Sequence, residues 1–148
     1  MLNLPQDFKE LLKLLIDQKV KFLIVGGYAV TFHGYPRFTG DLDLWVDTSE
    51  ENAKNIVRSL KLFGFNAPNL RIELFTGEDV VTRIGVEPMK VEIFTHIPGL
   101  TFESSYQNRD LLQLDEVGEV PFVSLHDLKI SKKTSGRAQD LADLEKLS

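Results

Sequence analysis

The sequence predicts an α/β or α+β domain, a sheet with helices packed on it. Three observations carry that prediction: segments of helical and strand period alternate along the chain, Asp41 to Val46 alternates strictly, and two strand-like runs flank the Gly85 to Pro88 turn. Phe8, Leu11, Leu12, Leu15 and Ile16 fall at helical spacing behind Pro5, which the first turn of a helix tolerates, so an amphipathic helix opens the chain. Phe22 to Val25 is short, apolar and stopped by Gly26-Gly27, which reads as a buried strand, and Tyr28 to Phe32 then makes one or two helical turns. In the alternating stretch Leu42, Leu44 and Val46 take one face of a strand while Asp41, Asp43 and Trp45 take the other.

Thr48-Ser49-Glu50-Glu51 has capping-box spacing, and Ala53, Ile56, Val57 and Leu60 continue a helix up to Gly64. Val80 to Ile84 and Val91 to Phe94 read as two strands, and Phe122-Val123 as a short one. Ser124 caps a helix carrying Leu125 and Leu128, and Ser135-Gly136 separates it from a last helix with Leu141, Leu144 and Leu147. No low-complexity tract, repeat or linker divides the chain, so residues 1–148 are expected to form a single domain, with helices 124–148 packing near the active site.

Composition narrows the chemistry. At 148 residues, 43% hydrophobic and 26% charged, one core suffices. With no cysteine and three histidines, disulfides and thiolate sites are excluded and any metal sits mainly on oxygen ligands. The apolar stretches fall far short of a membrane span and the N-terminal residues lack a basic, signal-like start, so a cytoplasmic protein without membrane contact is expected. A formal charge of −5 gives no overall attraction to nucleic acid, although a local basic patch can still bind phosphate.

The informative pattern joins Gly26-Gly27, Asp41-Leu42-Asp43 and Glu92. Paired glycines between a strand and a helix let a phosphate approach the backbone, where free amides and the helix dipole favour it. Carboxylates at i and i+2 on one strand face project together, as a magnesium-type cation requires, and Glu92, set between Val91 and Ile93, offers a third from a neighbouring strand. Singly, each part has a plainer reading: an exposed strand face for the aspartates, a tight turn for the glycines, local packing for His33, which is left out of the site. Their combination points to a metal and phosphate centre. Arg37 and Thr39, just before Asp41, are placed to neutralise and donate to phosphate. Lys132 lies at helical spacing from Leu125 and Leu128, on the apolar face, where a lysine calls for an anion, either a triphosphate or a site carboxylate. Asp140 is placed to orient Lys132 or Arg137.

Ile24-Val25-Gly26-Gly27 followed by Asp41-Leu42-Asp43-Leu44 resembles the nucleotidyltransferase signature of the DNA polymerase β superfamily. Together with Tyr28-Ala29-Val30, His33-Gly34, Arg37, Thr39, and the C-terminal Ser131-Lys132, Ser135-Gly136-Arg137 and Asp140 to Asp143, the chain is similar to minimal nucleotidyltransferases grouped with AbiEii-type toxins. The resemblance implies a mixed, mostly antiparallel sheet flanked by helices, and magnesium- or manganese-dependent transfer of a nucleoside monophosphate from a nucleoside triphosphate such as ATP to an acceptor hydroxyl. It implies Asp41, Asp43 and Glu92 as catalytic metal ligands, and Gly26, Gly27, Arg37, Thr39, Lys132 and Asp140 as nucleotide-binding residues. The acceptor, whether tRNA, protein or small molecule, stays open, as does a toxin–antitoxin role with a cognate partner protein. The competing expectations are a catalytically inactive nucleotide-binding module and an antitoxin-like partner-binding protein. Where the superfamily often has Gly-Ser, this chain has Gly26-Gly27, and where a third aspartate is common it has Glu92.

Overall fold

The computed structural model describes residues 2–85 and 89–147. Helix α1, Gln6–Asp17, buries Phe8, Leu11, Leu12 and Leu15 along one stripe. Strand β1, Phe22–Val25, is buried throughout, and α2, Gly26–Phe32, starts on the glycines themselves. Strand β2, Leu42–Val46, leads to α3, Glu50–Phe63, whose N-cap is Ser49: its Oγ accepts from Asn52 N at 3.2 Å, one residue later than the Thr48 capping-box spacing predicts. Gly64 ends α3 in the left-handed conformation, φ 115°.

Strands β3, Val81–Ile84, and β4, Val91–Phe94, match the two expected runs, while residues 86–88 of the expected turn lie outside the described residues. Helix α4, Phe102–Gln107, and strand β5, Asp110–Leu114, were not legible, and β6, Gly118–Phe122, replaces the shorter strand expected at Phe122-Val123. The polar-looking 110–122 segment becomes a hairpin because only half of it faces the core: Val120, Pro121 and Phe122 are buried while Asp110, Leu111 and Gln113 are not. Helix α5, Leu125–Ser135, is capped by Ser124 Oγ accepting from Asp127 N at 3.1 Å, and α6, Ala138–Lys146, follows the left-handed Gly136.

The six strands form one mixed sheet in the order β3-β4-β2-β1-β6-β5. The β3/β4, β1/β2 and β5/β6 pairs are antiparallel, and β2/β4 and β1/β6 are parallel, so the mostly antiparallel sheet flanked by helices is the observed fold. Central strands β1 and β2 supply Leu23, Ile24, Leu42, Leu44 and Trp45 to the core, each at most 1% exposed. Among the described residues no helix is long and apolar enough to cross a membrane.

Of the three leucines expected on the last helix, Leu147 is buried, Leu144 is half-buried and Leu141 points outward. Leu141 is 47% exposed, whereas Asp140 and Asp143 are 3% and 0% exposed. The charged face turns inward because cations of α5 and of the loop before β2 meet it there, as the next section describes.

Candidate active site

The β2/β4 register sets the centre of the site. Asp43 lies directly beside Glu92 on the neighbouring parallel strand, and Asp41 precedes Asp43 by two residues, so by the pleat all three fall to one face at one end of the sheet. Burial raises the Asp43 carboxyl most, the nearby Glu92 and Asp41 charges add to it and Lys132 opposes, leaving it at about 7. Its Oδ1 is buried and accepts no hydrogen bond. Glu92 is partly neutralised: Arg83, directly across the β3/β4 ladder, donates from Nε to Glu92 Oε2.

The two glycines are explained by what lies against them. A Cβ on Gly26, which has φ +69°, would sit 2.1 Å from Asp43 Oδ2, and one on Gly27 would sit 2.2 Å from Thr39 Oγ1. The glycine pair therefore lets the start of α2 press directly on the aspartate and on the threonine that precede and form the β2 end of the site. Gly26, Gly27, Thr39, Asp41, Asp43 and Glu92 are thus brought together.

Arg37, Lys132 and Asp140 belong to a second, tightly paired group. Lys132, 7% exposed, donates from Nζ to Asp140 Oδ1 at 2.9 Å and Asp143 Oδ2 at 3.0 Å. Arg37 donates from Nε and Nη2 to the two oxygens of Asp143, each at 3.0 Å, tying the loop before β2 to α6. Asp140 also accepts from Ser135 Oγ and from Arg137 Nε. Burial alone would raise the Asp140 carboxyl, but hydrogen bonds from Ser135, Arg137 and Lys132 hold it down at about 2. Asp143 is likewise held below its usual value, where Lys132, Arg37 and Gln139 outweigh burial. Asp140 is thus an acceptor already engaged by three donors, an anchor for Lys132 and Arg137.

Between the two groups opens a cavity of about 510 Å³. Asp43, Lys132, Ser131 and Arg137 give it polar walls, and Phe94 and Leu128 stand among its apolar ones. Arg137, its side chain 79% exposed, is held protonated first by its hydrogen bond to Asp140 and further by the charges of Asp43 and Glu92. A larger space elsewhere on the surface, about 560 Å³ beside Lys54, Lys61 and Ile72, is not lined by these carboxylates. His33 Nε2–H donates to the Val123 carbonyl at 2.7 Å, a packing role consistent with leaving it out of the site.

The sequence pattern did not single out Arg83, and Tyr28, Ser135 and Asp143 entered only as parts of the motifs that carry the resemblance, without a committed site role. Arg83 becomes visible only through the β3/β4 register, whereas the i, i+3 spacing of Asp140 and Asp143 on α6 was a signal that both share a helix face.

The chain belongs to the family described as nucleotidyltransferases of unknown function (DUF6036), whose model matches residues 1–148. Among solved structures it is similar to "a putative nucleotidyltransferase" from Thermotoga maritima, with a TM-score of 0.62 and 19% identity over 94% of this chain and 88% of that one. At that identity the likeness speaks to the fold. No curated protein matches.

The donor set suits a hard cation. Three carboxylates share a sheet face, and the orphaned, buried Asp43 Oδ1 is an oxygen with no protein partner. Among the described residues no three acidic or imidazole groups converge closely enough to hold an ion as they stand, and Glu92 is already engaged by Arg83.

Proposed function

We propose that this member of the family transfers a nucleoside monophosphate from a nucleoside triphosphate to an acceptor hydroxyl. The observation that carries the reading is Asp43: a buried carboxylate beside Glu92 and Asp41, raised to about 7 and with one oxygen unpartnered, is an unfavourable arrangement that a cation would relieve. Asp41, Asp43 and Glu92 are the residues that would hold magnesium or manganese. A divalent cation there supplies neutralisation of the triphosphate and a lowered pKa for the attacking hydroxyl.

The chain's own residues bind and orient. The Gly26-Gly27 backbone, free of side chains, admits phosphate oxygens close to its amides, and Thr39 stands against it as a hydroxyl donor. The most exposed cation of the cavity, Arg137, keeps guanidinium donors beyond its one bond to Asp140 and is suited to meet phosphate. Lys132 and Arg37 act chiefly by holding α5, α6 and the loop before β2 in register around the cavity, with Asp140 and Asp143 as their anchors. No covalent enzyme intermediate is required, because the acceptor hydroxyl displaces pyrophosphate directly at the α-phosphorus and its proton passes to solvent.

The acceptor is a tRNA end, a protein hydroxyl or a small molecule, and a toxin–antitoxin setting with a partner protein, which the sequence resemblance to AbiEii-type toxins implies, is the context to test first. Incubation with each α-labelled nucleoside triphosphate, magnesium or manganese, and cell extract should label one class of macromolecule and release pyrophosphate. Loss of labelling in Asp41→Asn is expected, and equal labelling by that variant would refute the metal assignment. The Arg83–Glu92 pair favours a second reading, nucleotide binding without turnover, which calorimetry would reveal as magnesium-dependent binding with no pyrophosphate release.

A further inference from the structure

Phe38 is 90% exposed, the most exposed large hydrophobic side chain among the described residues, and it stands three residues before Asp41. Its backbone is held nonetheless: the Phe38 carbonyl accepts from Arg37 Nη1 at 3.2 Å. Because Asp143 grips the same guanidinium, the backbone that presents the ring is fixed to α6.

Beside the ring is a second cavity, about 440 Å³, walled by Tyr28, Thr31, Pro36, Arg37, Phe38 and Thr39 among others. It adjoins the acidic centre through Thr39, which lines it and lies two residues before Asp41. Thr31 contributes a buried hydroxyl without a hydrogen-bond partner. An exposed flat aromatic face, a cationic side chain and an unsatisfied hydroxyl around one cavity next to phosphate chemistry match the needs of a nucleobase, which offers a π-face to stack and polar edges to bond.

We infer that Phe38 is a stacking platform for a nucleobase, received in the cavity between Tyr28, Thr31 and Arg37. This rests on the nucleotidyl-transfer reading of the adjacent carboxylates and adds the position of a base to it. The same chemistry has two sources, the base of the triphosphate donor and an unpaired base at the end of an RNA acceptor.

The test compares wild type, Phe38→Ala and Phe38→Trp in binding titrations with the four nucleoside triphosphates and magnesium, with inorganic tripolyphosphate and magnesium, and with a mixed-sequence single-stranded oligoribonucleotide. Since Phe38 is exposed, neither substitution disturbs the core, and matching thermal unfolding curves would verify this. Phe38→Ala should weaken binding of the base-bearing ligand roughly 5- to 150-fold, the scale of lost base stacking, Phe38→Trp should restore it, and tripolyphosphate affinity should be the same in all three. In Phe38→Trp the new indole should be quenched by that ligand, against a constant background from buried Trp45. Weakening confined to the triphosphates assigns the donor base, and weakening confined to RNA assigns the acceptor base. Unchanged affinity of Phe38→Ala for both, or an equal loss for tripolyphosphate, overturns the stacking role while leaving the carboxylate site standing. A wild-type chain that binds neither triphosphates nor RNA overturns the site reading and this inference with it.

Discussion

Replacing Asp43 with asparagine should stabilise the metal-free protein, and the gain should grow with pH. The folded-state carboxyl is raised from 3.8 to about 7, so the sign follows from linkage: the contribution of this group is fully present below the unfolded value and is lost as pH rises through the folded one. At pH 8 an ionised Asp43 then costs the fold on the order of 4 kcal/mol, most of it developing between pH 4 and pH 7. Asparagine keeps the shape without the charge. In a chain of 148 residues that relief corresponds to a rise in Tm of roughly 8–15 °C at pH 8 and only a few degrees at pH 4. The assay is thermal unfolding of both proteins in chelator at the two pH values, repeated with magnesium or manganese in place of chelator. The divalent cation should stabilise the wild type and leave Asp43→Asn nearly unmoved. A variant no more stable than wild type at pH 8 in chelator would refute the claim that the carboxylates repel one another in the metal-free fold.

Lys132→Met removes a buried cation from two carboxylates that keep Arg37, Ser135 and Arg137, and should cost about 1.5–3 kcal/mol of stability by denaturant unfolding, whereas Lys129→Met, on another face of the same helix, should change little. Equal midpoints for the two variants would mean that the Lys132 network carries no net stability. Gly26→Ala must place a methyl on Asp43 Oδ2 and adopt φ +69°, so it should lose more than about 1 kcal/mol, and more than Gly34→Ala, where positive φ is the sole obstacle because nothing lies near. Glu92→Gln should abolish transfer while triphosphate binding, followed by calorimetry, is largely retained, and a parallel loss of binding would contradict a role confined to activating the acceptor.

Legibility in the sequence followed the range of the interaction. Ser49, Gly64 and Ser124 mark helix ends through contacts within a few residues, so α3 and α5 could be placed from local chemistry, apart from a one-residue slip at the α3 cap. The Asp41, Asp43 and Glu92 face followed from strand alternation alone. What the sequence hid depends on pairings between distant residues. Leu111 and Gln113 look like a loop until β6 provides a ladder for them, and Arg83 is an ordinary edge-strand cation until the register sets it opposite Glu92. Helix α6 shows the same limit most clearly, since Leu141 is exposed while Asp140 and Asp143 are buried on the face they share with Leu147. Two cations contributed by residues 37 and 132, far apart in the chain, decide the contest for the aspartates, because leaving buried Lys132 unpaired would cost more than exposing Leu141.

That choice also accounts for the electrostatic division of the molecule around its cavity. On the α5 and α6 side three cations, Arg37, Lys132 and Arg137, share two carboxylates through short hydrogen bonds, leaving positive charge in excess. Facing them, Asp41, Asp43 and Glu92 have Arg83 as a paired cation at one position, and Asp43 remains unsatisfied. A network that is internally paired rigidifies its elements, whereas a cluster that is not stores unfavourable energy available to a ligand. The ligand that would satisfy both sides carries a divalent cation toward the carboxylates and polyanionic oxygens toward Arg137, which is the charge pattern of a magnesium-bound triphosphate. The paired half therefore explains why the unpaired half can persist: the Arg37–Asp143 and Lys132–Asp140 bonds fix the loop before β2 and both terminal helices, so that the repelling carboxylates cannot relax apart before their ligand arrives.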